Sequence, residues 1–494
     1  MRISLDRSAA DGRPIYLRIA EGIRGEVAAE RLRPGEQLPP IRELARRLGV
    51  NRDTVALAYE ALAATGLVEA SVGRGTFVVE APGRRAASRG APEPALSPLA
   101  ERLLELERAR PRFGSANGAA PLHTLAPDPG LYPSDDFRRV LNRVLVEAGP
   151  DLLLYGEPQG HPRMREVLAA RLAEAGVRVG ADEIVLCNGA SQGISLAVRL
   201  FAGPDDVVAL EEPTYQNVLA TVAGLGLRCA PVPMREGGVD LAALDRTLAR
   251  PEVRVLYTIP SFHNPLGTTT ALGHRRALLE IAARHGKPVI EDGYEQDLRF
   301  EGRPVPPLAA LDAAGLVVQL HSFSKSLFPG ARVGAVVARG RLVDALLALK
   351  RATDLADAMP FQAALAEFVA SGAYDRHLAR LRRVLRARRD ALCEALEREL
   401  PQATLFARPE GGTQLWVDLG GGIDTSELLA DAIGEGVLFA PGSQFHSDGR
   451  PSSGLRLAFA MADEAAIRRG VAALGRVVAR RLAAGRRPAA GVQV

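Results

Sequence analysis

Lys325 lies in the segment HSFSKSLFPGARVG (321–334) and is one of only three lysines, with Lys287 and Lys350, among 62 cationic residues. The rest are arginines, so a primary amine at this position is a chemical choice. Unlike a guanidinium, an amine can lose its proton when desolvated and condense with a carbonyl. Ser322, Ser324 and Ser326 surround it and Arg332 follows seven residues on. Hydroxyls and a guanidinium in this spacing suit a phosphate group. Alone, a lysine in a polar loop is an ordinary surface residue; what matters is how many other segments converge on the same chemistry.

Several do. IEDGYEQ ends an apolar run with Asp292, a carboxylate at the strand end where open α/β sheets bind ligands. There it can hold a ring nitrogen protonated and make the ring an electron sink. Tyr294, two residues on, points to the same side of an extended chain. LCNGASQGI follows another apolar run and opens a helical pattern, so Gly189, Ala190, Ser191 and Gln192 can offer backbone N–H groups and a hydroxyl to an anion. EEPTY brings Tyr215, whose ring can stack on a planar ligand. PSFHNPLG supplies Asn264, a neutral donor for a ring hydroxyl, and LRLAFA supplies Arg456, whose planar fork matches a carboxylate.

The elements that must position these residues are legible as alternating patterns. EIVLC, VVALEEP, VRVLYTI, PVIEDG, LVVQLHS and GAVVA read as buried strands separated by long helical patterns. That alternation predicts an α/β fold with a mostly parallel sheet covered on both faces, over residues 121–480. Residues 370–480 mix Arg-rich helices with TQLWVDL and LRLAFA, which predicts a smaller α+β subdomain; 481–494 reads as a tail. The chain has 494 residues, more than one core usually organises, so two or more domains are expected. Its three cysteines, Cys187, Cys229 and Cys393, are widely spaced and form no CxxC or Cys/His cluster. That argues against a disulfide framework or a metal site. No signal-like or membrane-spanning apolar run is present, so a soluble, cytoplasmic protein is expected.

Residues 1–80 form a separate pattern. A helix is expected from Pro14 onward, then PIRELARRLG with Ile41, Leu44, Ala45 and Leu48 on one face. Asn51 is placed to cap a third helix, RDTVALAYEALAATG, and LVEA and TFVVE read as a hairpin across SVGRG. Helix, turn, helix and hairpin describe a winged helix-turn-helix. It would bring Arg42, Arg46, Arg47, Arg52 and Thr54 near DNA, with Arg74 on the wing. These 80 residues hold 12 Arg against 11 Asp and Glu, so DNA binding must rest on placement, not bulk charge. Residues 81–120 read as a linker, rich in Ala, Pro, Gly, Arg and Ser until a short helical stretch at 99–110.

In order and spacing, the segments of residues 120–480 resemble the aspartate-aminotransferase superfamily of pyridoxal 5′-phosphate (PLP) enzymes, the fold-type I group. The resemblance implies that Lys325 forms the internal aldimine, that Asp292 pairs with the pyridine nitrogen, and that Tyr294 and Asn264 bond the 3′-oxygen. It also implies that Tyr215 stacks on the ring, that Ala190, Ser191, Ser322 and Arg332 hold the phosphate with Gly189 and Ser324 also at the cofactor, and that Arg456 takes the α-carboxylate of an amino acid. Tyr155, in LLLYGEPQG, matches a tyrosine that reaches the neighbouring subunit's phosphate in such dimers.

PGEQLPPIRELARRLGVNRDTVALAYEALAATGLVEASVGRGTFV resembles the GntR-type DNA-binding domain along its length. That implies major-groove reading by the helix beginning near Asn51, phosphate contacts from Arg42 and Arg52, and the wing at the minor groove. Pro40-Ile41 departs from the pattern where Ser is common, which removes one hydroxyl. Joined together, the two halves resemble the MocR group of bacterial transcription regulators. This resemblance implies a head-to-tail homodimer that binds an operator in double-stranded DNA. It implies an effector that is PLP itself or an amino acid or amine forming an external aldimine. Many MocR members have an aromatic residue where this chain has Asn264, so an active aminotransferase using a 2-oxo acid acceptor is the alternative.

Overall fold

The structure is a computed structural model that describes residues 15–28, 31–33, 35–64, 67–71, 75–79, 94–111, 118–401, 404–420 and 422–485. The chain divides into two compact units, Met1–Ala95 and Leu96–Val494.

In the first unit, helices Ile15–Ala28, Ile41–Leu48 and Arg52–Ala64 precede an antiparallel pair, Val68–Ser71 with Gly75–Val78. Leu44 and Ala45 are buried with Ile19, Ile23, Val55, Leu62, Val68 and Val78, and Ile41 and Leu48 pack at the edge of this cluster. The predicted apolar face of the second helix is therefore the one that faces the core. Gly49 ends that helix in the left-handed region at φ 64, where its N–H donates to the carbonyl of Ala45. The Asn51 side chain accepts from the N–H of Asp53 at 3.4 Å and caps the third helix. Tyr59 donates to the carbonyl of Pro39 at 2.7 Å, tying the third helix to the entry of the second.

The second unit is built on an eight-stranded sheet. Its order is Ile184–Cys187, Gly334–Val337, Val317–Ser322, Val289–Gly293, Val253–Thr258, Val207–Glu212, Arg228–Arg235, Gly238–Val239. Gly334–Val337 runs antiparallel to both its neighbours and Gly238–Val239 is antiparallel to Arg228–Arg235; the other pairs are parallel. Ile184 and Leu186 belong to one apolar cluster and Val185 and Cys187 to another, the period of two expected when helices cover both faces. The six apolar runs of the sequence are six consecutive strands of this sheet, from the edge strand Ile184–Cys187 to Val207–Glu212. Arg228–Arg235 escaped notice because RCAPVPMR carries prolines at 231 and 233 and only alternate residues are buried, the composition of a strand near a sheet edge.

A four-stranded antiparallel sheet, in the order Leu405–Phe406, Gln414–Asp418, Gly454–Ala458, Ala440–Pro441, forms the smaller subdomain with helices Ala373–Glu399, Thr425–Gly434 and Glu464–Gly485. Helix Pro98–Ala109 packs on helix Gln216–Gly224, with Leu103 against Gly224. Within the small sheet Gly454 lies against the indole of Trp416, and a side-chain carbon there would overlap that ring. Gly454→Ala is therefore expected to destabilise the second unit by about 1–3 kcal/mol, read as a lower denaturant midpoint.

Candidate functional site

The carboxyl ends of the central strands and the turns that follow them enclose one cavity. It is lined by Ala190, Ser191, Tyr215, Asn264, Asp292, Tyr294, Ser322, Ser324, Lys325 and Arg332, joined by Leu125, Ile259 and Pro329. Segments separated by more than a hundred residues in sequence thus meet because parallel strands deliver all their carboxyl ends to one edge.

Asp292 is buried at the end of Val289–Gly293. Its Oδ2 accepts from the Tyr257 hydroxyl at 2.6 Å and its Oδ1 from the N–H of Tyr294 at 3.1 Å. Burial pushes its pKa up to about 6, against the pull of those two donors. Tyr257 was not anticipated: it looks like one more apolar strand residue in VRVLYTI, and only the pairing of Tyr257 with Ile290 sets its hydroxyl beside Asp292. Tyr294 donates to the carbonyl of Phe262 at 3.0 Å and accepts from Gln414 at 2.6 Å, so its proton and one lone pair are already engaged.

Lys325 sits in the turn after Val317–Ser322, where the Ser322 hydroxyl accepts from the N–H of Ser324 at 3.2 Å. Burial lowers the Lys325 pKa; the Glu295 carboxylate opposes this, and Arg456 and Arg332 reinforce it. Glu295 is itself buried and bonded by Thr413, and burial raises its pKa to about 7.

A phosphate-sized cradle lies beside the lysine. Gly189, at φ 77, precedes helix Ala190–Phe201 and no side chain caps it, which leaves the N–H groups of its first turn open to an anion. Arg332, held at φ 51, donates to the carbonyl of Asn188 at 2.7 Å and lies where a Cβ on Gly189 would be. Gln192 does not join the cradle: its Oε1 accepts from Asn188 N–H at 2.7 Å and its amide bonds Asp354.

Arg456, on strand Gly454–Ala458, is buried, donates to Asn264 Oδ1 at 3.1 Å and to the carbonyl of His123 at 2.8 Å, and faces Phe445 at 5.1 Å. Among the described residues no carboxylate is paired with it, and its Nε has no hydrogen-bond partner. Burial lowers its pKa to about 10. It does not line the cavity directly; it reaches it through Asn264.

Tyr155 stands apart on an exposed turn with Leu153 and Leu154, and is 85% exposed. In the first unit Arg42, Arg46, Asn51 and Arg52 are exposed and Thr54 is half-buried. Arg74 lies outside the described residues.

A class of protein is defined by these features: a fold-type I aminotransferase-like unit joined to a winged helix-turn-helix. Residues 128–474 match the class I and II aminotransferases and residues 15–78 match the gntR family of bacterial regulatory proteins, a DNA-binding domain. Over 474 residues, 95% of this chain and 94% of the relative, it is 31% identical to the probable rhizopine catabolism regulatory protein MocR of Rhizobium meliloti. It is 35% identical to a 2-aminoadipate transaminase of Thermus thermophilus over 71% of this chain and 88% of that one. The solved α-aminoadipate aminotransferase LysN of Thermus thermophilus, complexed with N-(5′-phosphopyridoxyl)-L-leucine, superposes with a TM-score of 0.71 at 32% identity, covering 78% and 96% of the two chains. The chain belongs to the MocR-type regulators, which fuse a GntR DNA-binding domain to a class I and II aminotransferase domain. No described helix is long and apolar enough to cross a membrane.

The class I and II fold implies PLP, and the residues present fit it: one amine with a lowered pKa, one buried carboxylate at the strand edge, and a glycine-cleared helix start backed by Arg332. A Cβ at Gly334 would lie 2.9 Å from the carbonyl carbon of Gly189 and 3.0 Å from the N of Ala190, both backbone atoms. Gly334→Ala is therefore expected to displace the cradle and weaken PLP retention by about tenfold or more, measured by dialysis against a phosphate-free buffer.

Proposed function

We propose that this regulator senses an amino acid, or an amine related to one, in the cavity around Lys325, and that occupation of this cavity changes its affinity for an operator in double-stranded DNA. The observation that carries the reading is Arg456. A fully desolvated guanidinium without an acidic partner is costly, and a ligand carboxylate completes it.

PLP, when bound, supplies a reactive carbonyl and an electron-withdrawing ring. Asp292 would hold a proton on the ring nitrogen, with Tyr257 and Tyr294 N–H fixing the carboxylate in place. Ala190, Ser191, Ser322, Ser324 and Arg332 would hold the phosphate, and Tyr215 would cover a ring face. Asn264 is oriented by Arg456, which takes its Oδ1 and leaves the amide N–H₂ for the ring oxygen. Lys325 would hold the PLP carbonyl through its amine, and burial lowers its pKa toward the neutral, nucleophilic form.

A path from this cavity to helix Pro98–Ala109, within the 81–120 segment read as a linker, is visible in the bonds. The Tyr215 hydroxyl accepts from Asn217 at 2.8 Å, and Asn217 Oδ1 accepts from Arg110, just past helix Pro98–Ala109, at 3.4 Å. A ligand that moves Tyr215 has a route to that helix, and DNA affinity responds only if the two arrangements bind DNA differently. Exposed Leu153, Leu154 and Tyr155 support a homodimer in which Tyr155 serves the partner's cavity.

A second reading, catalytic transamination with a 2-oxo acid acceptor, is favoured by the intact Asn264–Arg456 pair and by the transaminase relatives. An amine screen on the PLP-loaded protein separates the two. Under the regulator reading, the visible spectrum shifts and operator affinity changes together; under the enzyme reading, keto acid accumulates and DNA affinity stays fixed.

Arg456→Ala is expected to keep PLP bound and to cut the response to α-amino acids by about 100-fold, a loss of about 2.7 kcal/mol, while sparing amines that lack a carboxylate. An undiminished response to amino acids sinks the assignment. For the DNA unit, Arg52→Ala should weaken binding to the upstream intergenic DNA at matched salt, lower the salt slope by about one, and leave PLP uptake as in the parent.

A further inference from the structure

Behind the cofactor cavity lies a larger one, of about 730 Å³, within the roughly 300–1,000 Å³ that metabolite sites occupy. Five arginines line it, Arg171, Arg299, Arg382, Arg383 and Arg386, against two carboxylates, Asp297 and Glu301, a formal balance of five minus two, or +3. Its acids are already committed. Asp297 pairs with Arg171 at 3.3 Å, and Glu301 pairs with Arg389, which does not line the cavity, at 2.5 Å. Arg171 is further neutralised by Asp375 at 2.8 Å, and Arg299 by Glu410.

Arg382, Arg383 and Arg386 have no carboxylate within ion-pair distance among the described residues. Arg382 donates only to the carbonyl of Asp297 at 2.8 Å and Arg383 only to that of Ala379 at 3.4 Å. All three lie within five consecutive residues of helix Ala373–Glu399, and like charges three or four apart, as in Arg383/Arg386 and Arg382/Arg386, destabilise a helix. Arginine is the chain's common cation, so a single unpaired one would mean little. Three within five residues of one helix, opening into a cavity whose other cations are each paired, are a concentrated positive field aimed at one volume.

Phe262 also lines the cavity, held in the left-handed region at φ 53 with Arg299 over its ring at 5.0 Å. Its carbonyl accepts from Tyr294, which lines the cofactor cavity. The two cavities therefore share a wall without sharing a polar lining residue.

We infer that this cavity is a second ligand site, for a metabolite-sized polyanion whose charge is concentrated in a polyphosphate group. Guanidinium forks match phosphate oxygens in pairs, and three cations within five helical residues suit adjacent phosphates better than dispersed carboxylates. The apolar wall around Phe262 offers a surface for the remainder of such a molecule. The assignment is independent of what enters the Lys325 cavity.

The test is calorimetric titration of the full-length, PLP-loaded protein at about 0.15 M salt with inorganic tripolyphosphate and with ATP, on the parent, on R383E/R386E, on Arg386→Gln and on R42A/R46A. One saturable site per chain is expected, weakened at least about tenfold in R383E/R386E, less in Arg386→Gln, and unchanged in R42A/R46A. Equal affinity for the two probes means the polyphosphate is what is read; tighter ATP binding means the Phe262 wall reads the rest. An unchanged visible PLP spectrum in each variant verifies that the second unit is folded. Absence of saturable binding in the parent, equal binding in R383E/R386E, or loss in R42A/R46A instead, which would place the anion on the DNA-binding unit, overturns the inference.

Discussion

Asp292 is a carboxylate buried at the carboxyl edge of a parallel sheet with both oxygens already bonded, and the second unit is arranged to keep it there. A lone buried charge would cost several kcal/mol, so its neighbours must supply donors and its ligand must supply a positive counterpart. Tyr257 from the adjacent strand and the backbone of Tyr294 provide the donors. These donors bond both oxygens while the carboxylate still lines the cavity, where, on the proposed reading, a protonated ring nitrogen would neutralise its charge.

The same logic runs through the other charged groups of the site. Arg456 is buried with one nitrogen unsatisfied, Lys325 is pushed toward its neutral form, and Glu295 is pushed up to about 7 beside it. Structural ion pairs elsewhere, such as buried Lys350 with Asp354 at 2.8 Å and Asp357 at 3.0 Å, are closed among themselves. The difference between closed pairs and open charges distinguishes scaffold from site here more sharply than burial does. In the first unit the balance is reversed: its apolar cluster is closed, and Arg42, Arg46 and Arg52 stay in solvent, where phosphates can replace water.

Much of this was legible in the linear chain. Six strands, the apolar face of Ile41–Leu48, the cap at Asn51 and the polar residues that line the cavity around Lys325 follow from apolar periodicity, turn chemistry, residue type and family resemblance, whereas Leu125, Ile259 and Pro329, which also line it, were not singled out. The strand Arg228–Arg235 was not, because its prolines and half-burial mimic a loop. Nor were Tyr257, Gln414 and Glu295, which carry no local mark of function: a tyrosine in an apolar run and a glutamine in TQLWVDL look like ordinary strand residues.

Which groups are available, and roughly on which strand ends, is written in neighbouring residues, because periodicities of two and 3.6 are local properties. Which donor meets which acceptor is fixed by packing between distant segments. Tyr257 meets Asp292 through strand order, Gln414 meets Tyr294 across the two subdomains of one unit, and Arg382, Arg386 and Phe262 line one cavity that no local pattern marks. Those pairings depend on register and packing between segments far apart, and no local pattern encodes them.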